Sequence, residues 1–187
     1  MVLETKRLIL RPFAEGDAAD LYRYAGDPRV GPPAGWQPHR SLEESREIIR
    51  TVFSAPHTFA LEEKEDGRVI GSAGFVNRHY DALPGPDDEI GYAMSPDYWG
   101  RGLMPEAVAA LLRYGFEDLG LRTIWCGHYD FNRKSRRVVE KSGFRYRFTD
   151  RRWVELMGEE RTELHYALTR KEWEEGAGPE DGRPADG

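Results

Sequence analysis

The stretch Tyr98-Trp99-Gly100-Arg101-Gly102-Leu103-Met104-Pro105-Glu106-Ala107 sets a glycine-rich turn directly between a strand-like run and an amphipathic pattern. Before it, Glu89-Ile90-Gly91-Tyr92-Ala93-Met94 reads as a short strand. After it, from Ala107, the apolar residues Val108, Leu111, Leu112, Phe116 and Leu119 follow helical spacing. A strand that feeds a helix through glycines leaves backbone N–H groups uncommitted at the positive end of that helix. This is an anion site, and phosphate is its expected guest. The bland alternative is a helix-entry turn with Pro105 at the first helical position, where its missing N–H costs nothing. A dinucleotide-binding strand–turn–helix at the start of the chain and a Walker lysine are both missing from the sequence.

The 187 residues, 39% hydrophobic with a formal net charge of −6, suffice for one sizeable core and predict a single domain over 1–175. The remainder, 176–187, is rich in Gly, Pro and acid and is predicted to be a disordered tail. No apolar run approaches the roughly 20 residues of a membrane span, and Met1–Arg7 lacks a signal-peptide core, so the expected location is cytoplasmic, with no membrane partner. One cysteine, Cys126, excludes an internal disulfide, and five scattered histidines without paired spacing give no expectation of a metal. The acidic balance argues against nucleic acid, although Arg133, Lys134, Arg136 and Arg137 form a local basic cluster. Pairing into a homodimer would need exposed Trp or Leu patches, which the sequence does not locate.

Elements of both types alternate along the chain. Arg7–Arg11 reads as a strand, after which Asp17 caps a helix carrying Leu21, Tyr22 and Ala25 toward Gly26. Ser41 and Glu44 form a capping box ahead of Ile48, Ile49, Val52 and Phe53. Thr58–Glu62 and Val69–Val76 make a hairpin around Asp66-Gly67, in a meander leading to Glu89–Met94. Gly120 stops the helix after the glycine turn, and Thr123–Tyr129 follows as a strand parallel to Glu89–Met94. A helix from Asn132 to Ser142 ends at Gly143, with Phe144 packing back on Val139 in a Schellman arrangement. Arg145–Leu156 and Arg161–Thr169 close the sheet around Met157-Gly158.

In this order and spacing, Leu3–Arg11, Glu89-Ile90-Gly91-Tyr92, Trp99-Gly100-Arg101-Gly102, and Asn132-x-x-Ser135 leading to Glu140-Lys141-Ser142-Gly143-Phe144 resemble the GCN5-related N-acetyltransferases, in the branch of the ribosomal-protein N-terminal acetyltransferases. The resemblance implies an α/β fold: a mostly antiparallel twisted sheet with two splayed parallel strands and flanking helices. It also implies acetyl-CoA as donor and a primary amine as acceptor. The family's diphosphate motif is Gln/Arg-x-x-Gly-x-Gly/Ala; Trp99 and Met104 depart from it, and Pro105 supplies one donor fewer than a threonine would. Gly100, Arg101, Gly102 and Met104 are the candidates to bind the diphosphate through their main chains. The splay would leave main-chain groups of Ala93 and Met94 free for pantetheine. By resemblance, Asn132 lies beside the pantetheine arm and Ser135 faces the thioester sulfur. Asn132 also stands where a helix N-cap belongs, and both readings can hold.

Acetyl transfer to nitrogen needs a neutral amine. Glu89 on the central strand and Glu155 on the penultimate strand are the candidate bases, acting through water. Cys126, mid-strand and without a spaced histidine, reads as a buried small residue rather than an acetyl-carrying nucleophile, so direct transfer in a ternary complex is expected. Trp36, in a long Gly26–Arg40 loop, Tyr80, in an acidic loop over 77–88, and Trp153 are the candidates for acceptor binding. The rival to an N-acetyltransferase is a noncatalytic coenzyme A-binding module that keeps the turn and has lost its base and acid.

Overall fold

The computed structural model describes residues 1–176, so the tail predicted over 176–187 lies outside the described residues except for Gly176. Its strands are β1 (Leu3–Glu4), β2 (Leu8–Arg11), β3 (Thr58–Glu63), β4 (Val69–Phe75), β5 (Asp87–Met94), β6 (Thr123–Tyr129), β7 (Arg145–Val154) and β8 (Glu159–Thr169). They form one eight-stranded sheet in the order β1-β2-β3-β4-β5-β6-β8-β7. Every junction is antiparallel except β5–β6. The helices are α1 (Ala18–Ala25), α2 (Gly31–Ala34), α3 (Leu42–Thr51), α4 (Leu103–Arg113), α5 (Arg133–Lys141) and α6 (Arg170–Gly176).

The sheet is buried on both faces where it matters. All seven residues of β4 are buried. Leu8, Leu10, Leu61, Ile70 and Ile90 share one core cluster with Leu103, Met104, Ala107, Val108, Leu111 and Leu112 of α4. A second cluster joins α1 to α3 through Leu21, Tyr24, Ala25 and Ile49. The inward face of α1 thus runs through Leu21, Tyr24 and Ala25, spaced by three and four residues. Tyr22, expected on that face, lies off the stripe and is 37% exposed.

Several local expectations are corrected. Asp17 starts α1 without bonding a helix amide; its carboxylate accepts from Ala14 N at 2.8 Å and pairs with Arg11 at 2.8 Å. Only half of the capping box forms. Ser41 Oγ accepts from Glu44 N at 3.1 Å, whereas the Glu44 carboxylate accepts from Arg40 N. Val52 falls beyond α3 and is 52% exposed. The 26–40 segment is not an unbroken loop, because α2 forms within it. α4 begins at Leu103, four residues before Ala107, which makes Pro105 the third helical residue. A missing N–H is equally harmless there, since the first-turn amides have no intrahelical partner. The Schellman closure of α5 is present: Gly143 N donates to Glu140 O at 3.2 Å and Phe144 N to Val139 O at 3.3 Å, with Gly143 at φ +82°.

β5 and β6 pair only at Asp87↔Thr123, Asp88↔Ile124 and Glu89↔Trp125, and then diverge. Being parallel, both strands run toward the same edge of the sheet. There β5 leads through the glycine turn into α4, and β6 leads into α5. The fork therefore opens toward two helix N-termini.

Candidate active site

Gly100 and Gly102 adopt φ +75° and +73° at the entry to α4. Among the described residues, the N–H groups of Gly100, Arg101, Gly102, Leu103 and Met104 donate to no protein acceptor, and the first helical bond to this turn is Glu106 N to Gly102 O. The turn is braced from outside. Arg7 Nη1 donates to Arg101 O at 2.8 Å, and the Glu106 carboxylate accepts from Arg7 N, Arg7 Nε and Thr5 Oγ1 at 2.6–2.8 Å. The Arg101 side chain is occupied elsewhere, donating to Asp97 O and stacking on Tyr98. Its contribution to the cradle is its main chain. Five uncommitted amides at the positive end of a helix fit a diphosphate such as that of coenzyme A. In the nearby basic cluster, Arg136 pairs with Glu140 and Lys134 Nζ sits 3.4 Å from the Trp99 ring centroid. Arg133 and Arg137 have no ion pair among the described residues.

Register decides which main-chain groups of β5 face the fork. Val76 N donates to Glu89 O and Ser95 N donates to Ile70 O, so the odd-numbered residues of β5 bond to β4. Ala93 is therefore committed to the β4 ladder, contrary to expectation, and Tyr92 and Met94 face the fork. The Met94 carbonyl accepts from Trp99 Nε1 at 3.0 Å, which leaves the Met94 N–H and both groups of Tyr92. Asn132 caps α5, with Oδ1 accepting from Ser135 N at 3.1 Å, while its Nδ2 donates to Pro33 O of α2 at 3.0 Å. The Ser135 hydroxyl lies 2.8 Å from the phenol oxygen of Tyr92. Cys126 is buried, and burial pushes its thiol pKa far up, which suits packing and not nucleophilic attack.

At the crotch of the fork, Glu89 is 7% exposed. Its carboxylate accepts from Tyr80 Oη and lies 3.4 Å from Arg78 Nη1, which is also 3.3 Å from Glu163. Burial pushes the Glu89 pKa up, against the pull of Arg78 and Tyr80. Arg152 and Arg78 flank Glu163, and His165 Nε2 meets Asp150 at 2.9 Å. Asp150, Glu163 and His165 converge closely enough for a cation, but these two guanidinium groups already neutralise Glu163. Tyr80 packs at a tilt against Trp125, ring centroids 4.6 Å apart, and meets His165 edge-on. Asp87 and Asp88 belong to β5 and not to the preceding loop. They accept from Trp125 Nε1, Tyr80 N, Arg78 N and Glu89 N and so are spent on structure.

The other predicted residues lie apart. Glu155 sits in the β7–β8 turn, exposed, and not on the strand where it was expected; it accepts from Trp153 Nε1 at 3.1 Å. Trp153 is 59% exposed. Trp36 is half-buried against the α1–α3 cluster. Sequence reasoning missed Arg78, Tyr92, Glu163 and His165. Alternation along β8 marks Glu163 and His165 as facing one side together, but only the register against β6 shows that this side is buried.

A family model described as "Acetyltransferase (GNAT) domain" matches residues 7–145. The chain is 31% identical over 149 residues to the uncharacterized N-acetyltransferase YoaA of Bacillus subtilis, covering 76% of this chain and 82% of that one. It is 25% identical over 189 residues to the [Ribosomal protein uS5]-alanine N-acetyltransferase of Escherichia coli, covering 93% of both. A solved acetyltransferase (GNAT family) from Bacillus anthracis matches the fold at a TM-score of 0.80 and 24% identity, over 91% of this chain and 99% of that one.

Proposed function

This chain belongs to the GNAT acetyltransferase family, and on that premise we propose that it transfers acetyl from acetyl-CoA to the α-amino group of a protein N-terminus, by direct attack in a ternary complex. The observation that carries this reading is the fork itself. One helix N-terminus with five free amides stands beside it, a hydroxyl, Ser135, stands on the second helix, and a buried carboxylate, Glu89, stands at the crotch. Acetyl-CoA, held by Gly100–Met104 and by the main chain of Tyr92 and Met94, supplies the activated acetyl group. The full-length likeness to a uS5-alanine N-acetyltransferase supports an α-amino acceptor.

The acceptor class also fits the chemistry. An α-amino group titrates near about 8 and a lysine near about 10.4, so freeing the former at neutral pH is cheaper by roughly 3 kcal/mol. Modest base assistance then suffices. Glu89, raised in basicity by burial against the pull of Arg78, draws the ammonium proton through water. Ser135 donates a hydrogen bond to the departing sulfur. Thiol release from acetyl-CoA, measured with a panel of N-terminal peptides, lysine side-chain peptides and small amines, tests the reading. Peptide α-amines should give the highest kcat/KM. Preference for a small amine removes the protein-N-terminus assignment, and no release with any amine favours a binding module.

A further inference from the structure

Tyr92 has only a main-chain part in the reading above, yet among the described residues its phenol is the sole hydrogen-bond partner of the Ser135 hydroxyl. Its oxygen lies 2.8 Å from Ser135 Oγ and 3.2 Å from Ser135 O. That carbonyl, in the first turn of α5, keeps a lone pair beside its helix bond and can also accept from Tyr92 Oη, at the longer of the two distances. Between the two hydroxyls either can donate. If Ser135 gives its proton to Tyr92, none is left for an incoming sulfur. If Tyr92 gives its proton to Ser135, the serine proton is free. Tyr92 shares a neighbourhood with the buried thiol of Cys126, and burial lifts its phenol pKa well above the ordinary value, so it keeps its proton.

We infer that Tyr92 is a positioning residue: its hydroxyl donates to Ser135 Oγ and thereby aims the Ser135 proton at the leaving sulfur. The inference rests on the role given to Ser135 above. In the transfer, the amine lone pair forms the C–N bond and the C–S bond breaks with its electron pair on sulfur. The surplus amine proton leaves through water to the Glu89 carboxylate, which has by then passed the earlier ammonium proton to solvent. The thiolate, steadied by the Ser135 hydrogen bond, takes up a proton from solvent. Tyr92 neither gains nor loses a proton in this cycle. Its work is to decide which of the two hydroxyls points into the fork.

The test is a double-variant cycle on the full chain with Tyr92→Phe, Ser135→Ala and both together. For each protein, kcat and KM for acetyl-CoA are measured by thiol release, using the most active amine of the panel or water where none exceeds it, and the melting temperature by thermal unfolding. Phenylalanine keeps the ring and removes one oxygen. Tyr92→Phe should lower kcat about three- to tenfold, the effect of one neutral hydrogen bond, with KM for acetyl-CoA unchanged. In the Ser135→Ala background the same change should lower kcat no further. An equal loss in both backgrounds, or a shift in KM and melting temperature with kcat retained, means that Tyr92 only packs; the inference then fails while Ser135 keeps its role. If Ser135→Ala leaves kcat undiminished, the role of Ser135 and the inference fail together.

Discussion

Replacing Gly102 by glutamate probes the amide cradle most directly. Gly102 sits at φ +73° and ψ +10°, a left-handed backbone that costs a residue with a side chain about 1–2 kcal/mol. A Cβ at this position would meet only Arg7 Nη2 at 3.6 Å, an ordinary contact, so crowding adds nothing. For a chain of this length the strain alone should lower the melting temperature by about 2–8 °C. Gly120, past the far end of α4, is the matched control: it has φ +68° and nothing within 4 Å of its Cβ position. Gly120→Glu carries the same charge and the same strain away from the cradle. Acetyl-CoA at about a hundredfold excess over its Kd stabilises by about 2.7 kcal/mol, a rise of about 5–11 °C. Thermal melts with and without millimolar acetyl-CoA should show that rise for the parent protein and for Gly120→Glu, and none for Gly102→Glu, whose carboxylate enters the place of the diphosphate. A full rise in Gly102→Glu would refute the cradle. Loss of the rise in Gly120→Glu as well would trace the effect to a weakened fold.

Glu89→Gln should depress kcat/KM most at neutral pH and least near about pH 9.5, where solvent already supplies free amine, whereas exposed Glu155→Gln should leave the profile unchanged; equal losses for both variants at every pH would remove Glu89 as the base. The raised pKa of Glu89 also has a stability sign. Its contribution is fully present below the ordinary value of 4.5 and is lost as pH rises through the raised folded value, so the stability of the parent protein relative to Glu89→Gln should fall from pH 4 upward, as read by urea midpoints, and a rise would contradict the buried assignment. Cys126 should resist a disulfide-exchange reagent in the native protein and react only on unfolding; fast labelling would place it at an accessible site. Leu111→Ala, at a fully buried core position of α4, should cost about 2–5 kcal/mol in denaturant melts, and a loss under about 1 kcal/mol would mean the core is not closed there.

Much of this was legible in order and spacing. The glycine turn, the β6 strand at Thr123–Tyr129 and the Gly143 closure of α5 depend on local patterns, and each formed where the residues indicated. Asp87 and Asp88 read only as part of an acidic loop over 77–88 because their partners, Trp125 Nε1 and the amides of the 78–80 segment, are fixed only by tertiary pairing. The choice between Ala93 and its neighbours turned on strand parity. A one-residue register fact of this kind has no signature in composition. Tyr92 was hidden for the same reason: it is an ordinary strand tyrosine until α5 brings Ser135 within reach.

Three residue pairs join β5 to β6, and among the described residues no other ladder links the β1–β5 plate to the β6–β8 plate. Mechanically the sheet is a zip stopped partway, and the last closed pair, Glu89 with Trp125, lies beside a knot of Trp125, Tyr80, Phe148 and His165. Aromatic packing and the buried carboxylate therefore share one place, since the Tyr80 phenol of this knot bonds Glu89. Trimming a ring there would leave a gap beside the phenol that holds Glu89. Changes in these unreactive side chains would be felt at that carboxylate.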